Sequence, residues 1–294
     1  MAALSRILIV DDTPMNITVM KSLLKTTKVQ IDEAESGFEA LDMMKQKKYD
    51  MIFLDHRMPK MDGIETLERM KEWPRNPNKD TPVISLTANA ISGARETYLK
   101  AGFWDYLSKP IDSMKLERMM IEYLPKEKVT FTEEDLTGGE DKAKESFERI
   151  TCDNPVCEKL NEIKELNLRE AFEYCGNEEV FLQVLSEFAQ STQKKANDID
   201  RFLKNKDISD YTIWVHALKS SSRLIGADNL SKDAKHLEEL GEKAKENDEA
   251  AWKEIEEKTP GLLCDYRSIG AQIAEAFCTY DTAEKETISE KKFQ

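Results

Sequence analysis

Five polar residues lie at the ends of the apolar runs in the first 124 residues of this chain. Asp11 and Asp12 follow the run RILIV, and Asp55 follows MIFL. Thr87 follows PVISL, and Lys109 comes shortly after WDYL. If these runs are parallel strands, their carboxyl ends meet at one edge of a sheet, where α/β proteins bind ligands. Clustered carboxylates repel one another unless a cation lies among them, and oxygen ligands alone favour Mg²⁺.

The types of these residues indicate phosphoryl-transfer chemistry. An aspartate beside Mg²⁺ and a lysine can act as a nucleophile and form an acyl phosphate. Lys109 offers a positive charge and Thr87 a hydroxyl, and both suit the anionic oxygens of a phosphoryl group. Each aspartate alone could be a helix N-cap, but five residues of the required types at four strand ends favour a functional site.

A second candidate for this chemistry is the histidine in the segment HALKSSSRLIGA, residues 216–227. At 100° per residue, a helix places Trp214, Leu218, Ser221 and Ile225 on one stripe. The other side of that helix carries His216, Lys219, Ser220 and Arg223. We therefore expect His216 to face solvent with positive charge beside it. An exposed imidazole with small neighbours can accept a phosphoryl group in line.

The elements that position the carboxylates follow from hydrophobic periodicity. Five short apolar runs are predicted as strands, at residues 6–10, 29–34, 51–54, 82–86 and 104–107. Patterns of helical period alternate with them, and their first apolar residues are Ile17, Phe38, Ile91 and Leu116. This alternation predicts an α/β fold, a doubly wound five-stranded parallel sheet of the flavodoxin-like type, over residues 1–124.

The rest of the chain changes character at Pro125. Residues 125–158 are rich in charge and contain Gly138-Gly139, which predicts an acidic linker with a short helix near residues 142–150. Residues 159–280 show four apolar stripes of helical period, which predict an all-α four-helix bundle. The fourth helix is expected to begin with Thr259 as N-cap and Pro260 at its first position. Residues 281–294 are predicted to be a frayed polar tail.

Composition excludes some classes of function. The chain has 294 residues and a formal net charge of −14, which argues against broad binding to nucleic acid or anionic membranes. Its apolar runs are too short to span a bilayer. The five cysteines are widely spaced without a C-x-x-C pair, and we expect them to be reduced thiols of a cytoplasmic protein.

Four segments together resemble the receiver domain of two-component response regulators: ILIVDDTPMN, MIFLDHRMPKMDGIE, VISLTANA and FWDYLSKPI. The resemblance extends from about residue 4 to residue 124. It implies that Asp55 is the phosphoacceptor. It also implies that Mg²⁺ is bound by the carboxylates of Asp11, Asp12 and Asp55 and by the backbone carbonyl of Arg57.

The same resemblance assigns the residues around the phosphoryl group. It implies that Thr87 and Lys109 contact that group and that Tyr106 is an aromatic switch residue. It further implies a cis peptide bond between Lys109 and Pro110.

The segment around His216 is similar to the active helix of histidine-containing phosphotransfer domains, whose pattern is H-x-L-K-G-S-x-x-x-x-G-A. Ser220 stands where glycine is common, and serine is still small. The similarity covers about residues 159–280. It implies that His216 carries a phosphoryl group and that Lys219 assists the transfer.

These resemblances predict a cytoplasmic phosphorelay protein, whether complete or the C-terminal part of a hybrid sensor kinase. The expected partners are a histidine kinase, which phosphorylates Asp55, and a second receiver that exchanges the group with His216. No Gly-rich nucleotide signature is present, so no kinase domain is predicted. Two alternatives stay open: an aspartyl-phosphate drain that dephosphorylates a relay, and a phosphorylation-switched binding scaffold in which His216 is silent.

Overall fold

A computed structural model of the chain describes residues 5–88, 94–129 and 155–291. The chain divides into two compact units, Met1–Glu145 and Ser146–Gln294, and each is described here by itself. Among the described residues, no helix is both long enough and apolar enough to cross a membrane.

The first unit is built on a five-stranded parallel sheet with the strand order β2-β1-β3-β4-β5. The strands are β1 Arg6–Val10, β2 Gln30–Ala34, β3 Met51–Asp55, β4 Val83–Thr87 and β5 Asp105–Ser108. Each predicted apolar run overlaps one of them, and the strand ends differ by one residue at most. The prediction of a doubly wound parallel sheet is therefore confirmed.

Five helices connect and cover these strands. They are α1 Pro14–Leu24, α2 Gly37–Gln46, α3 Gly63–Lys71, α4 Ala94–Ala101 and α5 Ser113–Tyr123. The carboxylate of Asp62 accepts a hydrogen bond from the Glu65 amide and caps α3, as is usual for aspartate at this position. The sequence patterns above did not include α3, although its buried Leu67 and Met70 have helical spacing.

The alternation of side chains along the strands creates a core on each face of the sheet. Ile7 and Ile9 of β1 pack with residues of α1 and α5. Leu8 and Val10 point to the other face and pack with residues of α2 and α3 and with Tyr98 of α4. Both faces are covered, so the carboxyl edge of the sheet is where polar groups can gather.

In the second unit, all regular secondary structure among residues 155–291 is helical. Its helices are α6 Pro155–Leu160, α7 Leu168–Cys175, α8 Glu178–Lys204, α9 Ile208–Leu224, α10 Asp228–Lys245 and α11 Glu249–Lys291. The last four form a closed bundle in which α9 packs between α8 and α10, and α11 packs on both α8 and α10. A four-helix bundle was predicted, and the helical fold is confirmed.

The last helix differs from its prediction at both ends. The side chain of Asp248 accepts hydrogen bonds from the amides of Ala250 and Ala251 at 3.0 and 3.1 Å, so α11 begins about ten residues before Pro260. The hydroxyl of Thr259 instead donates to the Ile255 carbonyl at 2.7 Å inside the helix. The predicted start at Thr259 is wrong, and the helix continues to residue 291 through the segment expected to fray.

The prediction of five reduced thiols is wrong for Cys157, which is disulfide-bonded. Cys175, Cys264 and Cys278 are free. Because disulfides are uncommon in the cytosol, the cysteines no longer support a cytoplasmic location. The short helix expected near residues 142–150 lies outside the described residues. The domain limits at 124, 158 and 280 stay predictions.

Candidate functional site

The carboxyl edge of the sheet brings four of the predicted site residues together. Asp55 is the last residue of β3, and Asp11 follows β1 directly. The Nζ atom of Lys109 lies 2.7 Å from Asp11 Oδ2 and 2.8 Å from Asp55 Oδ2. Asp11 and Asp55 are fully buried, with exposed fractions of 0% and 2%. Asp12 is half-buried beside them.

The three carboxylates have the geometry of a cation site. One oxygen from each of Asp11, Asp12 and Asp55 lies within 4.8 Å of the others. Among the described residues, no group forms a hydrogen bond with the buried Oδ1 of Asp55. Burial, followed by the charges of Asp11 and Asp12, raises the pKa of Asp55 to about 8 although Lys109 lowers it. Hard oxygen ligands with excess negative charge fit Mg²⁺.

Local contacts hold these side chains in position. Asp11 Oδ1 accepts hydrogen bonds from the Thr13 amide at 3.0 Å and from Asn16 Nδ2 at 2.9 Å. Gly63, at the start of α3, donates its amide to the His56 carbonyl at 2.8 Å. A Cβ on Gly63 would lie only 2.3 Å from the backbone oxygen of Asp55. The absence of a side chain there allows α3 to approach the site.

The remaining predicted residues of this unit lie on neighbouring strands and loops. Thr87 ends β4 and is buried, and the half-buried Arg57 lies two residues beyond Asp55. Tyr106 of β5 is half-buried and stacks on the ring of Tyr98, with centroids 6.0 Å apart. The peptide bond between Lys109 and Pro110 is cis, as predicted.

Tyr98 was not among the predicted site residues. Its hydroxyl lies 2.9 Å from Thr87 Oγ1 and 3.0 Å from His56 Nδ1. The tyrosine is on α4, and its ring also packs on Phe103 in an edge-to-face contact. The sequence alone did not place Tyr98 at the site, because a pattern of apolar spacing does not show where a tyrosine hydroxyl points.

The prediction that His216 and Lys219 face solvent is wrong. Each is only 5% exposed. Within the bundle both side chains contact Glu238 of α10: His216 Nδ1 is 2.7 Å from Oε1, and Lys219 Nζ is 2.6 Å from Oε2. Lys219 Nζ also lies 3.4 Å from His216 Nδ1. Of the neighbours expected on the polar face, Ser220 is half-buried and Arg223 is exposed.

Glu238 is the central residue of this cluster and was missed from the sequence. Burial raises the pKa of Glu238, but the hydrogen bond and charge of His216 and the charge of Lys219 outweigh burial and lower it to about 2. The carboxylate is therefore ionised at neutral pH. One signal was available: Glu238 follows Leu237 inside the apolar stripe from Ala234 to Gly241, where a charged residue is unexpected.

Family comparisons cover both units. Residues 7–121 match the response regulator receiver domain, and residues 183–276 match the Hpt domain. This chain carries a receiver domain followed by an Hpt domain. The cluster around Asp55 lies in the receiver domain, and the cluster around His216 lies in the Hpt domain. This pair of domains fits a two-component phosphorelay protein.

Two curated relatives, a histidine-protein kinase and a sensor protein, are much longer than this chain. The signal transduction histidine-protein kinase BarA of Escherichia coli K12 is 37% identical over 119 residues, which are 40% of this chain and 13% of BarA. The aerobic respiration control sensor protein ArcB of E. coli O157:H7 is 27% identical over 276 residues, which are 92% of this chain and 32% of ArcB. The chain thus spans a third or less of these relatives.

One solved structure is the receiver domain of the sensor histidine kinase PA1611 from Pseudomonas aeruginosa PAO1, with a magnesium ion coordinated in its active site cleft. Its sequence is 34% identical to this chain, and the match covers 40% of this chain and 96% of the PA1611 receiver chain, with a TM-score of 0.37.

Proposed function

We propose that this chain relays phosphoryl groups between Asp55 and His216 and their counterparts on partner proteins. The observation that carries the proposal is the cluster of Asp11, Asp12, Asp55 and Lys109, because a buried aspartate among these groups suits phosphoryl capture. A histidine kinase would supply the group to Asp55. A second receiver would exchange it with His216. A cytoplasmic location remains a prediction.

Asp55 supplies the nucleophile of the first step. One of its carboxylate oxygens attacks phosphorus, the oxygen–phosphorus bond forms, and the bond from phosphorus to the donor nitrogen breaks. The departing imidazole takes up a proton. Lys109, 2.8 Å from Asp55 Oδ2, neutralises negative charge that gathers on the transferred group, and Thr87 donates a hydrogen bond to it.

Asp11, Asp12, Asp55 and the carbonyl of Arg57 would hold Mg²⁺. Bound there, it neutralises the carboxylates and the phosphoryl oxygens. The buried Oδ1 of Asp55, which accepts no hydrogen bond from the described residues, and its place within the group of three carboxylates support the assignment, since such an oxygen is available to a cation.

Glu238 prepares His216 for the second step. A carboxylate with a pKa of about 2 is an acceptor only, so Nδ1 of His216 carries the hydrogen. That tautomer leaves a lone pair on Nε2. Nε2 attacks the phosphorus of an aspartyl phosphate, the nitrogen–phosphorus bond forms, and the aspartyl oxygen–phosphorus bond breaks. The charge that develops on the ring is stabilised by Glu238.

The first experiment tests the acceptor of the receiver domain. The full chain is incubated with acetyl phosphate and Mg²⁺, and intact mass and peptide mapping locate the added phosphate. We expect one phosphate on Asp55, no label in Asp55→Ala, and wild-type label in Asp42→Ala, whose carboxylate is exposed and pairs with Lys45. Equal labelling of the wild type and Asp55→Ala would contradict the proposal.

The burial of His216 favours the second candidate, a binding scaffold with a silent histidine. A phosphorylated receiver is mixed with the chain, and acid-labile, base-stable label is followed. A relay predicts label that is lost in His216→Gln and kept in His236→Gln, since the other histidine of this domain is half-exposed and pairs with Glu254. Absence of such label in the wild type would favour the scaffold. The lifetime of phospho-Asp55 separates a relay from a drain.

A further inference from the structure

The side chains of Thr87, Tyr98 and His56 form a continuous hydrogen-bonded chain beside the candidate phosphorylation site. Tyr98 Oη lies 2.9 Å from Thr87 Oγ1 and 3.0 Å from His56 Nδ1. Tyr98 is 5% exposed and Thr87 is 4% exposed, so water does not compete strongly for the bond between them, while His56 is half-buried. A buried chain of this kind polarises its members and is sensitive to a new charge at one end.

Tyr98 and Thr87 each carry one hydroxyl hydrogen, so the two hydrogen bonds of this chain can be directed in two ways. In the first, Thr87 donates to Tyr98, and Tyr98 donates to His56 Nδ1. In the second, His56 Nδ1 donates to Tyr98 and Tyr98 donates to Thr87, which directs the Thr87 hydrogen to another acceptor. Only the second arrangement lets the Thr87 hydroxyl donate to a phosphoryl oxygen.

The negative charge of Asp55 interacts electrostatically with the Tyr98 hydroxyl. Burial raises the pKa of Tyr98, the hydrogen bond with Thr87 lowers it, and the negative charge of Asp55 raises it. In the sheet, Asp55 pairs with Leu86, the residue before Thr87, so the hydrogen-bonded chain ends beside the candidate phosphorylation site. A phosphoryl group on Asp55 adds negative charge at the Thr87 end of the chain, which favours the arrangement in which the Thr87 hydrogen points towards that group.

We propose that Tyr98 is a positioning residue for Thr87: its hydroxyl, backed by His56, fixes Thr87 Oγ1 as an acceptor and thereby orients the Thr87 hydrogen towards the phosphoryl group. This inference rests on the proposed function of Asp55. Tyr98 also stacks on Tyr106, the ring predicted to be the switch.

The variant Tyr98→Phe removes the hydroxyl and keeps the ring contacts with Phe103 and Tyr106. The full chain is phosphorylated with acetyl phosphate and Mg²⁺, and the rate of label on Asp55 is measured. We expect Tyr98→Phe to be about three- to ten-fold slower, the effect of one neutral hydrogen bond expressed in the transition state. The control is Tyr123→Phe, whose hydroxyl donates to Asp105 at 3.1 Å, and it should keep the wild-type rate.

A double-mutant cycle distinguishes positioning from a general structural effect. If Tyr98 acts through Thr87, Tyr98→Phe should cause no further slowing in a Thr87→Ala background. Equal slowing in both backgrounds, a wild-type rate for Tyr98→Phe, or faster phosphorylation would each overturn the inference. A wild-type chain that acquires no phosphate on Asp55 would instead reject the proposed function, and the inference with it.

Discussion

At the scale of single residues, Glu238 makes the stability of the Hpt domain depend on pH in the acidic range. Its pKa is about 2 in the folded chain and about 4.3 when unfolded. A depressed folded pKa stabilises the native state above the unfolded pKa, and this contribution is lost as the pH falls from about 4.5 towards 2. We expect a loss on the order of 2–3 kcal/mol from this residue.

Glu238→Gln tests this pH dependence because an amide does not titrate in that range. Urea unfolding of the full chain is monitored by hydrogen exchange of α9 and α10. The stability of Glu238→Gln should decline less steeply between pH 4.5 and 2 than that of the wild type. Carboxyl NMR of Glu238 should give a pKa well below that of exposed glutamates. Parallel pH profiles in the two proteins would contradict the prediction.

Lys219 is expected to be far more important for stability than a surface lysine. Lys219→Ala removes one of the cations that contact the buried Glu238, and removing one partner of a buried ion pair costs about 3–5 kcal/mol. Lys235 on α10 is exposed, and its contact with Glu239 is 3.8 Å. Lys235→Ala should therefore change stability by less than about 1 kcal/mol. Chemical denaturation of both variants measures the difference, and similar costs would show that the Glu238 cluster is not a strong interaction.

At the scale of elements, the start of α3 controls the position of Asp55. Gly63→Ala places a Cβ 2.3 Å from the Asp55 carbonyl oxygen, so the helix or the end of β3 must shift, at a cost of about 1–3 kcal/mol. We expect slower phosphorylation of Asp55 together with this loss of stability.

Gly261 of α11 is the matched control. An added Cβ there has no neighbour within 4 Å. Gly261→Ala should stabilise the helix by about 0.5–1 kcal/mol and leave phosphorylation unchanged. Both variants are compared by thermal unfolding and by acetyl phosphate labelling. Wild-type behaviour of Gly63→Ala would mean that the site tolerates movement of α3.

At the scale of the whole molecule, Mg²⁺ should stabilise one domain and not the other. The cluster of Asp11, Asp12 and Asp55 belongs to the receiver domain. Binding to the folded state adds about 2.7 kcal/mol when the free ion is at 100 times its Kd. Calorimetry with Mg²⁺ and with chelator should show the receiver transition move upward by several degrees while the Hpt transition stays in place.

Asp12→Ala provides the control for this measurement. It should abolish the shift caused by Mg²⁺, and in chelator the receiver domain should be at least as stable as the wild type, because one of three clustered anions is removed. A large loss of stability in chelator would show that Asp12 has a structural role instead.

The sequence by itself determined the framework of the receiver domain and the edge at which its carboxylates lie. Continuous apolar runs such as RILIV that alternate with helical patterns are typical of buried strands in a covered parallel sheet, and residues that follow such strands share its carboxyl edge. This local logic placed Asp11, Asp55 and Lys109 together, and their distances in the structure agree with it. The helical bundle followed from periodicity in the same way.

Only the tertiary structure decided which polar side chains are buried and what they contact. A helical wheel assigns His216 and Lys219 to solvent because it compares them with apolar neighbours on the same helix. Burial becomes favourable through Glu238, a carboxylate supplied by the next helix. The contact of Tyr98 with Thr87 likewise joins α4 to β4. Contacts between elements depend on how those elements pack, and the spacing of residues within one element does not contain that information.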